Sequence, residues 1–457
     1  MGNLGRTLVV GGTLVSATSR RRADVLIEDG AVVAVGEVDG AGATIVEADG
    51  CLVLPGGVDA HTHVFGAVAT DTVSALCGGT TAAISFVDAE PGETPAEAAK
   101  RTLEEELPAS AIDVGFHAVI WEPAAYRTGD LAAVAELGVT SVKLWLAYRE
   151  LGIMADDAQA FAVMREAAAE GLLVQAHCEN GALLDAIRDE LVRDGRTELR
   201  YHAASRPIAL EAEAVHRFLA IAELTDADAY VVHVSGRAPL EEIESARRRG
   251  RRAYAEVCPH HLALTDDVYA GPEPARYLMT PPLRTEADRA ELWRALAGGA
   301  LDVYASDHSH LRLADKLRGG DDLTQVAFGL AGIEARLPIG FTLGVEAALI
   351  SVERLVEVAC EAPARIFGLY PRKGALLPGS DADLVVWDPS ARWTIRSESL
   401  HDGLDYTPYE GIEARGRPRF VLAGGEVVVE EGRYLGRESR ASFLPRPRRS
   451  AGRTLVS

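Results

Sequence analysis

Two histidines stand two positions apart in the stretch VDAHTHVF, residues 58–65, directly after the turn-forming Pro55-Gly56-Gly57. Side chains alternate between the two faces of an extended strand, so His61 and His63 point to the same side. Imidazole nitrogens are common ligands of divalent metal ions, and one cation could contact both rings. The pair therefore indicates a metal site at the end of a strand.

Other polar residues stand at the ends of further apolar, strand-like runs. His177 ends LLVQAH, His233 follows YVV, and Asp307 lies in DVYASDHSH. A single histidine of this kind is more often an ordinary core or surface residue, but several of them with an aspartate favour one shared metal centre. Nitrogen and carboxylate donors without a thiolate cluster suit an open, catalytic site for Zn²⁺ or a similar ion.

Lys143 is the unusual member of this group, because it lies inside the apolar run SVKLWLAY of a chain that contains only four lysines. One interpretation is a lysine ion-paired with an internal carboxylate, since a buried ammonium is costly. The functional interpretation is that burial lowers its pKa and makes it a reactive amine, which arginine could not be.

The elements that must position these residues alternate between short apolar strands and Ala/Glu/Arg-rich helical stretches, a pattern typical of parallel strands with crossover helices. The eight candidate strands are LVLPGGVDAHTH, TAAISFV, VGFHAVIW, SVKLWLAY, LLVQAHCE, YVVHVSG, AYAEVCPHHL and DVYASDHSH. Eight strands predict an α/β fold of the (β/α)₈ TIM-barrel type, whose active sites lie at the carboxyl ends of the strands. An open doubly wound sheet is the alternative, but no strand is followed by a G-x-G-x-x-G or P-loop signature.

One helix of this barrel can be delimited from the sequence. Asp156 is a plausible N-cap, Gly171 a stop signal, and Phe161, Met164 and Ala168 share one face.

Both ends of the chain are rich in β-strand residues, as in TLVVGG near the start and FVLAGGEVVVEEGRYL near the end. Residues 1–52 and 373–440 are therefore predicted to form one small β-sandwich domain beside a barrel of residues 53–372. The Pro- and Arg-rich tail, residues 441–457, lacks periodicity and is expected to be disordered or docked on a neighbouring subunit.

Composition narrows the possible functions. The net charge of −22 argues against a nucleic-acid partner, and no segment approaches the length of a membrane span or a secretory signal. The five scattered cysteines form no C-x-x-C pair and fit a reducing compartment, so a cytoplasmic location is expected.

The motifs together resemble those of the cyclic-amide hydrolases of the amidohydrolase superfamily: hydantoinases, dihydropyrimidinases, allantoinases and dihydroorotases. The resemblance runs from the first β segment to about residue 436. The stretches that carry it are PGGVDAHTHV, SVKLWLAY, VQAHCENG, YVVHVSG, YLMTPPLR, ASDHSH, GSDADLVVWDP and DYTPYEGIEARGRP.

This resemblance implies a two-metal centre, with zinc as the best match. His61, His63 and Asp307 would hold one divalent ion and His177 and His233 the other, with Lys143, carboxylated by carbon dioxide, bridging both. It implies attack of a metal-bridging hydroxide on the ring carbonyl, with Asp307 taking the proton and returning it to the leaving nitrogen. It further assigns Tyr148 to the carbonyl oxygen as negative charge develops.

The chain departs from the family pattern at several positions. Val64 replaces the arginine with which dihydroorotases bind a substrate carboxylate, although CPHHL, residues 258–262, resembles that branch. Its His260 and His261 either shape the pocket or only pack behind it. Thr280 stands for the usual serine among the substrate contacts, and Ala331 for an asparagine, where only backbone groups could compensate.

The leading interpretation is a binuclear-metal hydrolase that opens a cyclic amide of the hydantoin or dihydropyrimidine type. Allantoinase or dihydroorotase-like activity is the alternative within the same class, and a metal-free, dihydropyrimidinase-like scaffold protein is the alternative outside it. The resemblance also implies a homodimer or homotetramer.

Overall fold

The computed structural model describes residues 5–436 and 441–449. Two of its β-sheets contain strands from both ends of the chain or from its beginning alone. The N-terminal strands are β1 (Arg6–Val10), β2 (Thr13–Val15), β3 (Arg20–Arg22), β4 (Asp24–Glu28), β5 (Ala31–Gly36), β6 (Thr44–Glu47) and β7 (Leu52–Pro55).

The middle of the chain supplies parallel strands that close into a TIM barrel. They are β8 (Gly57–His63), β9 (Thr80–Phe86), β10 (Asp113–Val119), β11 (Ser141–Trp145), β12 (Leu173–His177), β13 (Asp228–Val231), β14 (Ala253–Val257), β15 (Val303–Tyr304) and β16 (His308–Ser309). The two short pieces β15 and β16 are one interrupted eighth strand: β15 pairs with β14 and β16 pairs with β8, which closes the barrel. The predicted barrel is therefore confirmed.

The helices lie mostly between the barrel strands. They are α1 (Val68–Cys77), α2 (Pro95–Glu105), α3 (Asp130–Glu136), α4 (Asp157–Glu170), α5 (Gly181–Arg193), α6 (His202–Ser205), α7 (Ile208–Thr225), α8 (Arg237–Arg248), α9 (Pro259–Ala263), α10 (Glu286–Gly298), α11 (Leu313–Lys316), α12 (Arg336–Ile339), α13 (Val352–Val356) and α14 (Ala362–Ile366). Within the described residues, no helix combines the length and apolar character needed to cross a membrane.

The helix predicted from Asp156 and Gly171 is α4. Asp156 accepts a hydrogen bond from the backbone nitrogen of Gln159, and Gly171 ends the helix in the left-handed conformation, at φ 69°. The predicted face is confirmed at Met164, which is buried, whereas Phe161 and Ala168 are only partly buried at the margin of the core. The fully buried residues are Ala160, Val163, Met164 and Ala167.

The chain then returns to the small domain with four strands, β17 (Leu384–Thr394), β18 (Glu413–Ala423), β19 (Glu426–Glu430) and β20 (Arg433–Tyr434). A four-stranded sheet, in the order β5-β4-β1-β6, and a seven-stranded sheet, in the order β20-β19-β18-β17-β7-β2-β3, share a core that includes Val25, Val53 and Leu384. The sandwich therefore joins the two ends of the chain.

The first predicted strand, LVLPGGVDAHTH, is divided between the two domains. Its beginning, β7, pairs with β17 in the sandwich, and its end, β8, opens the barrel. The change of partner occurs at Gly56, whose backbone nitrogen donates to the Asp383 carbonyl and where a Cβ atom would lie 2.0 Å from Thr81 Oγ1. The strand that belongs to the sandwich thus extends to Pro55, past the predicted boundary at residue 52.

Residues 441–449 of the tail lie against their own barrel, which corrects the expectation of disorder or of docking on a neighbour. They cross the amino ends of the barrel strands. Phe443 forms an isolated parallel β-bridge with Val114 at the start of β10, and Leu444 packs among the side chains of the barrel interior. Arg449 Nε lies 2.8 Å from Asp228 at the start of β13. The last part of the predicted tail, residues 450–457, lies outside the described residues.

Candidate metal centre

The first pair of candidate ligands meets an aspartate at the carboxyl end of β8. His61 Nε2 lies 2.9 Å from Asp307 Oδ1, and His63 Nε2 lies 3.7 Å from the same oxygen. Asp307 is brought there by the break between β15 and β16, where its backbone nitrogen donates to the His61 carbonyl at 2.9 Å. The three residues present one ligand atom each within 4.8 Å of one another.

The second pair lies on the neighbouring side of the barrel mouth. His177 ends β12 and His233 follows β13 by two residues, and their atoms Nδ1 and Nε2 lie 3.1 Å apart. The His61 and His233 rings are 5.5 Å apart between centroids, so the two pairs share one site. A single buried centre therefore collects all four predicted histidines and Asp307.

Lys143 completes the centre from β11. Its side chain is 0% exposed, and its amine lies above the Phe86 ring at 4.6 Å and the Trp145 ring at 4.9 Å. Among the described residues the amine has no hydrogen-bond partner. Burial, only partly offset by the carboxylates of Glu256 and Asp307, lowers the pKa of Lys143 to about 8. A buried amine with unmet bonding capacity and a low pKa fits the carboxylated, metal-bridging role.

Two carboxylates that the sequence analysis missed hold the histidine rings in place. Glu256 accepts a hydrogen bond from His61 Nδ1, and Glu179 accepts one from His177 Nε2 at 2.8 Å. Each contact leaves the other ring nitrogen free to face the centre, the arrangement that orients metal-ligating histidines in proteins. Two signals in the sequence could have found them. Glu256 lies inside the apolar run AYAEV, and Glu179 follows His177 by two positions.

The electrostatics of the centre favour a bound cation. Burial lowers the pKa of His63 to about 3 and of His177 and His233 below their ordinary value, so these rings present free lone pairs. Burial would also lower the pKa of His61, but the Glu256 and Asp307 carboxylates outweigh it and raise that pKa to about 9. The same two carboxylates would stabilise a metal ion at that position.

Three of the candidate residues have the left-handed backbone conformation that non-glycine residues rarely adopt. The φ angles are 68° at Tyr148, 38° at His233 and 50° at Asp307. Such strain persists where the surrounding structure requires it and concentrates at functional sites. Sequence patterns of the kind used above carry no signal for it.

The centre opens into a cavity of about 880 Å³. Tyr148 and Thr280 lie on its wall with their hydroxyl groups hydrogen-bonded to each other. Burial raises the pKa of Tyr148 to about 12, so its hydroxyl remains a donor at neutral pH. Apolar side chains, among them Phe65, Trp121 and Phe328, line the cavity together with charged ones such as Arg188 and Arg206.

The position predicted to supply a backbone contact, Ala331, is buried and does not belong to the described residues that line this cavity. The wall here is formed by Ala327, Phe328 and Gly329 instead. Leu330, the residue before it, pairs with His308. A substrate contact at Ala331 stays a prediction.

The chain is similar to proteins of known family over almost its whole length. The model of the amidohydrolase family matches residues 52–428. A D-hydantoinase from Ralstonia pickettii is 40% identical over 96% of this chain and 98% of its own. The crystal structure of a dihydropyrimidinase from Brevibacillus agri superimposes with a TM-score of 0.94 at 35% identity, covering 97% of this chain and 99% of that one. A D-hydantoinase structure gives a TM-score of 0.93 at 39% identity, with coverage of 97% and 99%.

Proposed function

Because this chain belongs to the amidohydrolase family, we propose that it opens 5-substituted hydantoins and related rings, with a preference for the D enantiomer. The chain is a hydrolase of cyclic amides and acts on carbon–nitrogen bonds other than peptide bonds, as the similarity to hydantoinases and dihydropyrimidinases shows. The observation that carries the proposal is the meeting of four histidines and Asp307 around the unpartnered Lys143 amine.

The proposed centre holds two divalent ions, with zinc the best match to its nitrogen and carboxylate donors. One ion would be held by His61, His63 and Asp307, and the other by His177 and His233. Carboxylated Lys143 would bridge them. When bound, the ions would lower the pKa of a water molecule and polarise the ring carbonyl.

The residues around the ions would handle the proton and the developing charge. Asp307 would accept the proton of the attacking water and return it to the leaving ring nitrogen. Tyr148, protonated at neutral pH, would donate to the carbonyl oxygen as negative charge develops there. Thr280 would keep the tyrosine hydroxyl in position and contact the ring amide through its backbone.

The cavity supports a ring with a bulky substituent. Its volume of about 880 Å³ far exceeds what a bare hydantoin or dihydrouracil ring fills, and its lining exposes more apolar than polar surface. A substituent at ring position 5 would lie against Phe65, Trp121 and Phe328 while the ring amide faces the metal centre.

Three further proposals concern the protein as a whole. The chain would form a homodimer or homotetramer, which light scattering would measure. It would act in the cytoplasm, in keeping with five buried cysteines that form no disulfide. Residues 1–52 and 373–440, with the strand to Pro55, would constitute the sandwich domain.

The test is hydrolysis by the zinc-loaded protein, with a chelated control, of hydantoin, D- and L-5-substituted hydantoins, dihydrouracil, allantoin and dihydroorotate. The proposal expects metal-dependent opening of the D-5-substituted hydantoins above the other rings. Opening of allantoin or dihydroorotate in their place would overturn the substrate assignment. A protein that binds no metal and opens no ring would support the scaffold alternative.

A further inference from the structure

A second group of side chains that could ligate a metal lies at the turn after β14 and in the short helix α9 that follows it. Cys258, His260 and His261 each present one ligand atom, and the three atoms lie within 4.8 Å of one another. All three side chains are buried, and none is among the described residues that line the cavity. The group is therefore separate from the residues proposed to hold the catalytic ions.

The ring of His261 is oriented as a ligand would be. Its Nε2–H donates to the Pro281 carbonyl at 3.1 Å, which fixes the tautomer and leaves a lone pair on Nδ1. That Nδ1 atom has no hydrogen-bond partner within the described part of the chain. A ligating histidine characteristically donates its other ring nitrogen to a backbone carbonyl or carboxylate.

His260 gives an independent indication of a missing partner. Its ring is 1% exposed, and neither Nδ1 nor Nε2 has a partner among residues 5–436 and 441–449. Buried polar atoms are nearly always paired, so a group that binds at least one of these nitrogens is expected. The centroids of the His260 and His261 rings are 4.4 Å apart, and one nitrogen of each ring lies within 4.8 Å of the other and of the Cys258 sulfur.

The charge states of the two rings also suit a cation rather than an anion. Burial raises the pKa of the Cys258 thiol well above its ordinary value, so this thiol would lose its proton only when it binds an ion. Burial lowers the pKa of His260 to about 4 and that of His261 well below its ordinary value, so both rings are neutral. Burial likewise lowers the pKa of the nearby Lys316 amine to about 7, so that this group can lose its charge when a cation binds. One thiol and two neutral imidazoles form a donor set that zinc accepts readily.

We propose that Cys258, His260 and His261 bind a third divalent ion, zinc by preference. Binding replaces the thiol proton of Cys258, which is released to solvent as the thiolate coordinates the ion. The ion would fix the turn that begins two residues after Glu256, the residue that holds His61. This inference goes beyond the proposed catalytic function and does not depend on it.

Cobalt provides a direct test, because a thiolate bound to Co²⁺ produces an intense near-ultraviolet charge-transfer absorption that nitrogen and oxygen ligands do not. The full chain would be produced in cobalt-supplemented medium, so that the enclosed site is filled as the protein folds. The proposal expects the charge-transfer band in the unaltered protein and its loss in Cys258→Ser. Cys178→Ser is the matched control, since Cys178 is also buried, lies next to a proposed catalytic ligand and should leave the band unchanged.

Metal analysis separates this inference from the catalytic proposal. If both hold, the chain contains about three ions and Cys258→Ser about two. If only the third site exists, about one ion per chain accompanies the charge-transfer band. About two ions without that band in the unaltered protein would overturn the third site and leave the catalytic centre standing, whatever the folding of the variants.

Discussion

Glu256 makes contact with both halves of the proposed metal centre, so its replacement by glutamine is the most informative single change. Its Oε1 accepts from His61 Nδ1 and, at 3.0 Å, from the backbone nitrogen of His233, while Oε2 accepts from the Tyr230 hydroxyl at 2.7 Å. The side chain is 0% exposed, so no water can replace a lost bond. Glutamine preserves the shape but removes the negative charge that faces His61 and offers only one carbonyl oxygen for these three donors.

Loss of a partner that orients a metal ligand costs about 10- to 100-fold in metal affinity or activity, which corresponds to about 1.4 to 2.7 kcal/mol. We therefore expect Glu256→Gln to lower kcat/KM and metal affinity by that factor. Zinc affinity would be measured by competition with a chelator, and kcat/KM with a 5-substituted hydantoin under metal-saturating and limiting conditions. The loss should be larger when metal is limiting.

Tyr230→Phe is the matched control for Glu256→Gln. It removes only the hydrogen bond to Oε2 and leaves the contacts to His61 and His233, so it should reduce stability while metal affinity stays near that of the unaltered protein. A folded Glu256→Gln variant that keeps both metal affinity and kcat/KM within about threefold of the original values would refute the role of Glu256 in orienting His61.

Three further predictions concern the proposed bridging lysine, the tyrosine proposed as oxyanion donor and the tail. Burial lowers the pKa of Lys143 to about 8, so the fraction of the side chain that is an uncharged amine increases as the pH rises toward 8. The rate at which bicarbonate and zinc reactivate the metal-free protein should therefore rise up to about pH 8 and then level off. Lys143→Arg should give no carbamate signal in ¹³C NMR after labelling with ¹³CO₂, and a carbamate signal in that variant would contradict the assignment. Tyr148→Phe should lower kcat about 10²- to 10³-fold with little change in metal content, whereas an unchanged kcat would remove the tyrosine from the mechanism. Leu444→Ala should lower the free energy of unfolding in urea by about 2 to 5 kcal/mol, because Leu444 is buried. The control Leu377→Ala, at a half-exposed position, should lower it by at most about 0.5 kcal/mol. Equal effects of the two changes would show that the tail is not docked.

The sequence predicted the barrel and its candidate ligands because both follow from local regularities. Apolar strands recur with helical stretches between them, and parallel strands bring their carboxyl ends to one face. His61, His177 and His233 could thus be placed together without knowledge of any distance. The sequence did not predict that the strand at residues 52–63 is divided between two sheets. The division at Gly56 depends on a contact with Asp383, which is more than 300 residues away in the chain.

The parts that sequence reasoning missed depend on long-range packing. Glu256 and Glu179 are ordinary acidic residues until the fold brings them to His61 and His177. The tail carries no periodic pattern, because it binds through Leu444 and individual arginines rather than as a helix or a long strand. The strained backbone at Asp307 likewise arises from closure of the barrel.

Ring opening of a racemic 5-substituted hydantoin tests the proposed function most directly. It would be measured with matched samples of zinc-loaded and chelated protein, followed by chiral analysis of the product. We expect rapid formation of the D-carbamoyl product by the zinc-loaded protein, its loss on chelation and its recovery on return of zinc. Equal hydrolysis by the chelated sample, or none by protein shown to hold both catalytic ions, would contradict the proposed function.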